Sequence, residues 1–135
     1  MKRFLFDSGI ASDYINRRNG VRERAHAEVA KGNRIGMGVP VLAELLYGIE
    51  LSSTREENLD RLHRALASLT LWPFTEAAAA SYGAIAAKLR RAGRPMQVFD
   101  MLVAAIAMNL SVCTVVSTDS DLWAIPGLDV ENWAK

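Results

Sequence analysis

"RFLFDSG", residues 3–9, is the stretch on which the reading of this chain turns. A bulky, mostly apolar run passes directly into an aspartate, a serine and a glycine. A short aromatic run bounded by polar residues is the pattern of a buried strand. Behind it, "SGIASDYINRR" reads as a helix with Ser8 as its N-cap. Asp7 then lies at the carboxyl end of the first strand.

The alternation continues outward from there. "VRERAHAEVAKG" predicts a solvated helix ending at Gly32, and "RIGMGV" a strand. Pro40 suits the first turn of the next helix, "PVLAELLYGIEL". "TREENLDRLHRALASL" is amphipathic, with Thr54 and Glu57 spaced as a capping box. "LTLWPF" reads as a strand. "TEAAAASYGAIAAKLRRAG" is a helix stopped by Gly93, and "QVFDMLVAAIAMNL" a helix apolar nearly all round, hence central. "SVCTVVS" is a buried strand, and "TDSDLWAIPGLDVENW" closes with a turn and a short strand. Strands alternating with helices imply an α/β domain with a largely parallel sheet between helices. Such sheets bind ligands outside the carboxyl ends of their strands.

Composition bounds the function. The 135 residues predict a single domain, 1–135. Sixteen basic and fifteen acidic side chains leave a formal charge of +1, so no global field draws nucleic acid or membrane. A polyanion partner would need a local basic patch or a metal. One cysteine, Cys113, excludes an internal disulfide, and no Cys/His spacing suggests zinc. Cys113 lies in an apolar run and reads as inert core. The polar "DSG" interrupts the first apolar run, so no signal peptide is predicted. "MLVAAIAMNLSVCTVV" is too short and too interrupted to span a bilayer. An intracellular, cytoplasmic protein is expected.

Four carboxylates stand in costly places. Asp7 and Asp119 each follow an apolar strand. Glu44 sits inside "VPVLAELLYG". Asp100 is the only charged residue between Arg94 and Asp119. A buried ionised carboxylate is expensive unless compensated. Each also has a structural reading. Asp7 or Asp100 could cap a helix, Glu44 could reach solvent from a helix edge, and Asp119 and Asp121 could be turn residues. Together, both strand ends and both apolar helices lead to one edge of the sheet. Acidic oxygens without histidine or cysteine suit Mg²⁺ or Mn²⁺. Such sites commonly hydrolyse phosphate esters.

These motifs make the chain resemble the PIN-domain ribonucleases, and within them the VapC-type toxins of bacterial toxin–antitoxin pairs. The resemblance covers essentially the whole chain, through "FLFDSGIASDYI", "VPVLAELLYGIE", "FDMLVAAIA" and "VVSTDSDLWAIPGLDVENW". It implies a three-layer α/β/α PIN-like domain with a short, mostly parallel central sheet. It implies a metal-dependent endoribonuclease in which Asp7, Glu44, Asp100 and Asp119 are the catalytic acids that hold Mg²⁺ or Mn²⁺. Ser8 and Ser117 fall on hydroxyl positions beside the site, with Asp121 near it. Gly9 departs from the commoner Asn and removes one polar side chain there. The resemblance also implies a VapB-type antitoxin whose C-terminal segment covers the active site, often placing a basic residue among the acids.

Basic residues fit an RNA substrate: Arg17, Arg18, Arg22 and Arg24 early, and Lys88, Arg90, Arg91 and Arg94 later. A solvated helix face or helix terminus explains them equally. Of these, Arg17, Arg18, Arg91 and Arg94 are the candidate RNA contacts. His26 and His63 read as solvated, and Trp72 and Trp123 as core or interface. The apolar residues around Tyr47, Leu51 and Leu59 suggest a homodimer. Two other readings compete. A haloacid-dehalogenase-like phosphatase using Asp7 as nucleophile would want an aspartate where Gly9 stands. A catalytically silent PIN-like domain that binds RNA or a partner would favour loss of one acid, and all four are present.

Overall fold

The N-terminal apolar run becomes β1 (Arg3–Phe6), the middle strand of a five-stranded sheet. Phe4, Leu5 and Phe6 are all but fully buried, as expected for a parallel strand covered on both faces. The structure, a computed structural model, describes all residues 1–135. After β1 come α1 (Ser8–Asn16), α2 (Val21–Ala30), β2 (Arg34–Gly38), α3 (Val39–Leu51) and α4 (Arg55–Leu66). They are followed by β3 (Thr70–Trp72), α5 (Glu76–Arg91), α6 (Val98–Met108), β4 (Cys113–Val116), α7 (Ser120–Trp123) and β5 (Val130–Glu131).

The strand order is β3-β2-β1-β4-β5 and every pairing is parallel. The chain therefore winds from β1 outward to β3, then crosses back over β1 to β4. That reversal makes a topological switch point between β1 and β4, where α/β sheets open a crevice at their carboxyl ends. Gly36 permits the close approach of β3, because a side chain there would run into the Thr70 carbonyl. The apolar helix α6 buries Met101 and the run Val103–Ala107, and its first turn carries Asp100.

Several local expectations are corrected. The N-cap of α1 is Asp7, not Ser8: Asp7 Oδ1 accepts from the Ile10 amide at 2.9 Å. Thr54 precedes α4 but makes no capping bond; its hydroxyl accepts from Asn58 Nδ2 instead. The last helix residue before Gly32 is Ala30. Trp72 is core, whereas Trp123 is exposed on the one-turn helix α7 and is not core. Cys113 is half-buried at the start of β4; burial pushes its thiol up to about 12, against the pull of Arg3, which keeps it unreactive. His26 and His63 are exposed as expected. No helix is long and apolar enough to cross a membrane.

Candidate active site at the carboxyl edge of the sheet

The four acids come from four different places in the chain and reach one edge. Asp7 follows β1 and caps α1. Glu44 lies midway along α3 and Asp100 in the first turn of α6. Asp119 follows β4 and caps α7, accepting from the Asp121 amide at 2.9 Å. The strand ends deliver two of them because β1 and β4 pair directly, Phe6 beside Val116. The helices deliver the other two: α6 from the first turn of a helix otherwise largely buried, and α3 from a half-buried position on a helix that buries only Val41.

Ser117 binds the switch point together. It is fully buried, donates its hydroxyl to Asp7 Oδ2 at 2.5 Å, and accepts the Asp119 amide at 2.9 Å. Asp7, only 8 % exposed, thus has one carboxylate oxygen held by Ile10 and the other by Ser117. Its orientation is set before any ligand arrives. Ser8 and Glu44 both line an open groove of about 500 Å³ running away from this edge between α1, α3 and α4. Asp121 is exposed beside Asp119. Gly9 stands in the first turn of α1, and a side chain there would meet Asp7 Oδ1 at an ordinary 3.7 Å.

The electrostatics are one-sided. Burial raises the pKa of Asp7, the bonds from Ser117 and Ile10 only partly oppose it, and Asp119 and Glu44 push it higher. Burial likewise raises Asp100, to about 7, helped by a proton shared with Asp119 and by the charges of Asp119, Asp7 and Glu44. No lysine or arginine is among the main influences on either group, and none of the five ion pairs includes any of the four acids. As placed, no three carboxylates are disposed to hold one ion together. The donor set fits a hard divalent cation in chemistry: oxygens only, several carboxylates, and no resident cation.

The basic candidates separate. Arg17 and Arg18 line cavities beside α1. Arg94 lines a shallow pocket with Asp121, while Arg91 is exposed at the end of α5. Arg24 is committed elsewhere, bonded to Glu28 at 3.0 Å and Glu131 at 3.1 Å. Arg61 and Arg64 on α4 line the same cavity as Arg17 and were not legible as partners, being more than forty residues away; their three-residue spacing on one helix face was the available signal.

Known proteins share this chain's sequence pattern and fold. Residues 4–128 match the PIN domain family. The tRNA(fMet)-specific endonuclease VapC of Shigella flexneri is 30 % identical over 135 residues, covering 99 % of this chain and all of that one. The crystal structure of VapBC2 from Rickettsia felis bound to a DNA fragment from their promoter is similar with a TM-score of 0.89. There the identity is 28 %, over 97 % of this chain and 98 % of that one. The crystal structure of DNA-bound VapBC from Salmonella typhimurium is equally similar, with a TM-score of 0.89 and 29 % identity, over 99 % of this chain and 100 % of that one.

Proposed function

This chain belongs to the PIN domain family, and from that premise we propose that it is the endoribonuclease toxin of a VapBC-type toxin–antitoxin pair, dependent on Mg²⁺ or Mn²⁺. One observation carries the site assignment: four acids from four separate elements meet at the sheet's switch point with no cation among them. Asp7, Glu44, Asp100 and Asp119 are the residues that would hold the ion. When bound, a divalent cation neutralises a phosphodiester, lowers the pKa of a water and steadies the leaving oxygen.

The chain's own residues prepare for that. Ser117 and the Ile10 amide fix both oxygens of Asp7, so this carboxylate need not reorganise. Ser117 also ties Asp119 to Asp7 through one hydroxyl. Burial and the acids beside it raise Asp100 to about 7 in the metal-free protein, so the cluster as a group would give up protons when a cation binds. Ser8 borders the groove where the substrate would lie, and Asp121 and Arg94 line a separate small pocket.

A VapB-type antitoxin is the expected partner, and a homodimer the expected form. Tyr47 and Leu51, four residues apart on α3, are 68 % and 71 % exposed, an apolar face that a partner would cover. Leu59 is half-buried and contributes less. A toxin acting on cellular RNA would work in the cytoplasm. The test is cleavage of single-stranded RNA by the purified chain, with chelation and with added Mg²⁺ or Mn²⁺. Cleavage should stop with EDTA, return with either ion, and be suppressed by the antitoxin encoded beside it. Cleavage that survives exhaustive chelation rejects the metal-dependent reading.

A further inference from the structure

Beside the acidic edge lies a feature of the opposite charge. A cavity of about 480 Å³ between α1, α2 and α4 is lined by Arg17, Arg22, His26, Arg61 and Arg64, and no carboxylate lines it. None of these arginines is in an ion pair. Four guanidinium groups gathered without a counter-charge repel one another, which costs stability unless an anion joins them.

Two of the four are held in place. Arg22 donates through Nε and Nη2 to the Tyr14 carbonyl at 3.0 and 2.8 Å, and its guanidinium lies 4.7 Å over the Tyr14 ring. Arg61 donates through Nη1 to Asn16 Oδ1 at 3.0 Å. These bonds use part of each five-donor fork and neutralise none of its charge. A third, Arg17, occupies the left-handed position that ends α1 (φ 56°), where glycine is the usual choice.

The cavity adjoins the groove at the active site. Both are lined by Ile15, Asn16 and Arg61. Side by side, the two make a trough from Ser8 and Glu44, past Arg18 and Arg61, to Arg17, Arg22 and Arg64, with the Arg61–Asn16 bond at the boundary between them. Positive groups strung along a trough suit a chain of phosphates better than a single small anion. Its acidic end admits a polyanion only where a cation is bound, and the ribonuclease reading supplies that cation. An acidic peptide has no comparable reason to reach that end.

We infer that this trough is the path of the substrate strand, with the arginine-lined cavity holding a backbone phosphate of the RNA away from the cut. The inference rests on the ribonuclease reading. The cavity arginines are positioning residues: they give affinity and register, not sequence choice.

The test compares the full-length chain with the double variant Arg17→Gln/Arg64→Gln, two residues that line only the distal cavity. Arg34→Gln is the charge control, since Arg34 is exposed at the start of β2. Binding of a long single-stranded RNA is measured in EDTA, where only the basic part of the trough can hold it, and cleavage in Mg²⁺ is measured with the long RNA and with a dinucleotide that spans only the acidic end. The double variant should bind long RNA on the order of tenfold more weakly. Its salt dependence should flatten by about 0.7 in log–log slope for each phosphate it no longer neutralises. Its KM for long RNA should rise, with kcat and dinucleotide cleavage unchanged. If the double variant behaves like Arg34→Gln on long RNA, the path is wrong although the ribonuclease stands. If it loses binding to poly-glutamate but not to RNA, the cavity is a peptide dock and the path is likewise wrong. If the parent chain cleaves neither RNA, the ribonuclease reading itself fails.

Discussion

Glu28 and Asp7 are both buried carboxylates, 4 % and 8 % exposed, and the protein treats them in opposite ways. Glu28 sits where α2 leads into β2. Its oxygens accept from Asn33 at 2.9 Å and Arg24 at 3.0 Å, with Lys31 at 3.8 Å. Burial alone would raise its pKa, but the bonds from Asn33 and Arg24 and the charges of Lys31 and Arg24 hold it below the usual range. Asp7, at the carboxyl end of β1, has hydrogen bonds but no cation, and its pKa rises. Glu28 is complete within the chain and contributes to the fold. Asp7 and its acidic neighbours have no such partner within the chain, and on the proposed function a cation from outside completes them.

The largest effect should come from removing a charge on the open side. Asp7→Asn keeps the shape and removes an anionic ligand. RNA cleavage under single turnover with Mg²⁺ should fall by more than about 100-fold with the fold intact. The corresponding change on the closed side, Glu28→Gln, should leave cleavage by the folded protein within about threefold of the parent while lowering stability by ~1–3 kcal/mol. Urea melts check this. A Glu28 variant that loses catalysis without losing stability would erase the distinction between the two sites.

The pH dependence of stability sharpens the comparison further, because the two carboxylates act on opposite limbs. Glu28 has a lowered folded pKa, so its contribution is present above the unfolded value and is lost as pH falls through the folded one. Asp100 has a folded pKa raised to about 7. Its contribution is full below the unfolded value near 3.8 and is lost as pH rises through about 7. The protons on the open side belong to the cluster as a group. In EDTA, the parent should therefore lose stability between about pH 4 and pH 7 on account of this cluster. Asp100→Asn should flatten that neutral limb, and Glu28→Gln should flatten the acid limb. Thermal melts across the range read both effects.

How much of this the chain announces depends on the distance over which each interaction acts. The strand endings at Asp7 and Asp119, and the acids inside the apolar helices at Glu44 and Asp100, were visible because a charge in an apolar run is a local anomaly. The α/β alternation was visible for the same reason. Which side chain closes a helix was not, since Asp7 and Ser8 are both good caps and β1 geometry decides between them. The Thr54 capping box has the right spacing, but Asn58 competes for the threonine hydroxyl. Trp123 reads as core or interface by type, and one turn of helix at the rim leaves it 54 % exposed, which removes the core alternative. The neutralisation of Glu28 and the gathering of Arg61 and Arg64 with Arg17 depend on packing between helices, which no local pattern records.

The most direct test of the open acidic edge is a set of four melts at neutral pH: the parent and Asp100→Asn, each in EDTA and in Mg²⁺. Asn is a poor ligand for Mg²⁺ and relieves one repulsion. In EDTA, Asp100→Asn should unfold no more easily than the parent, and be on the order of 1 kcal/mol more stable. With Mg²⁺ at ten times its Kd the parent should gain about 1.4 kcal/mol, and the variant much less. If Asp100→Asn instead strongly destabilises the metal-free protein and leaves the Mg²⁺ response unchanged, Asp100 is part of the scaffold and the open acidic edge is not a metal site.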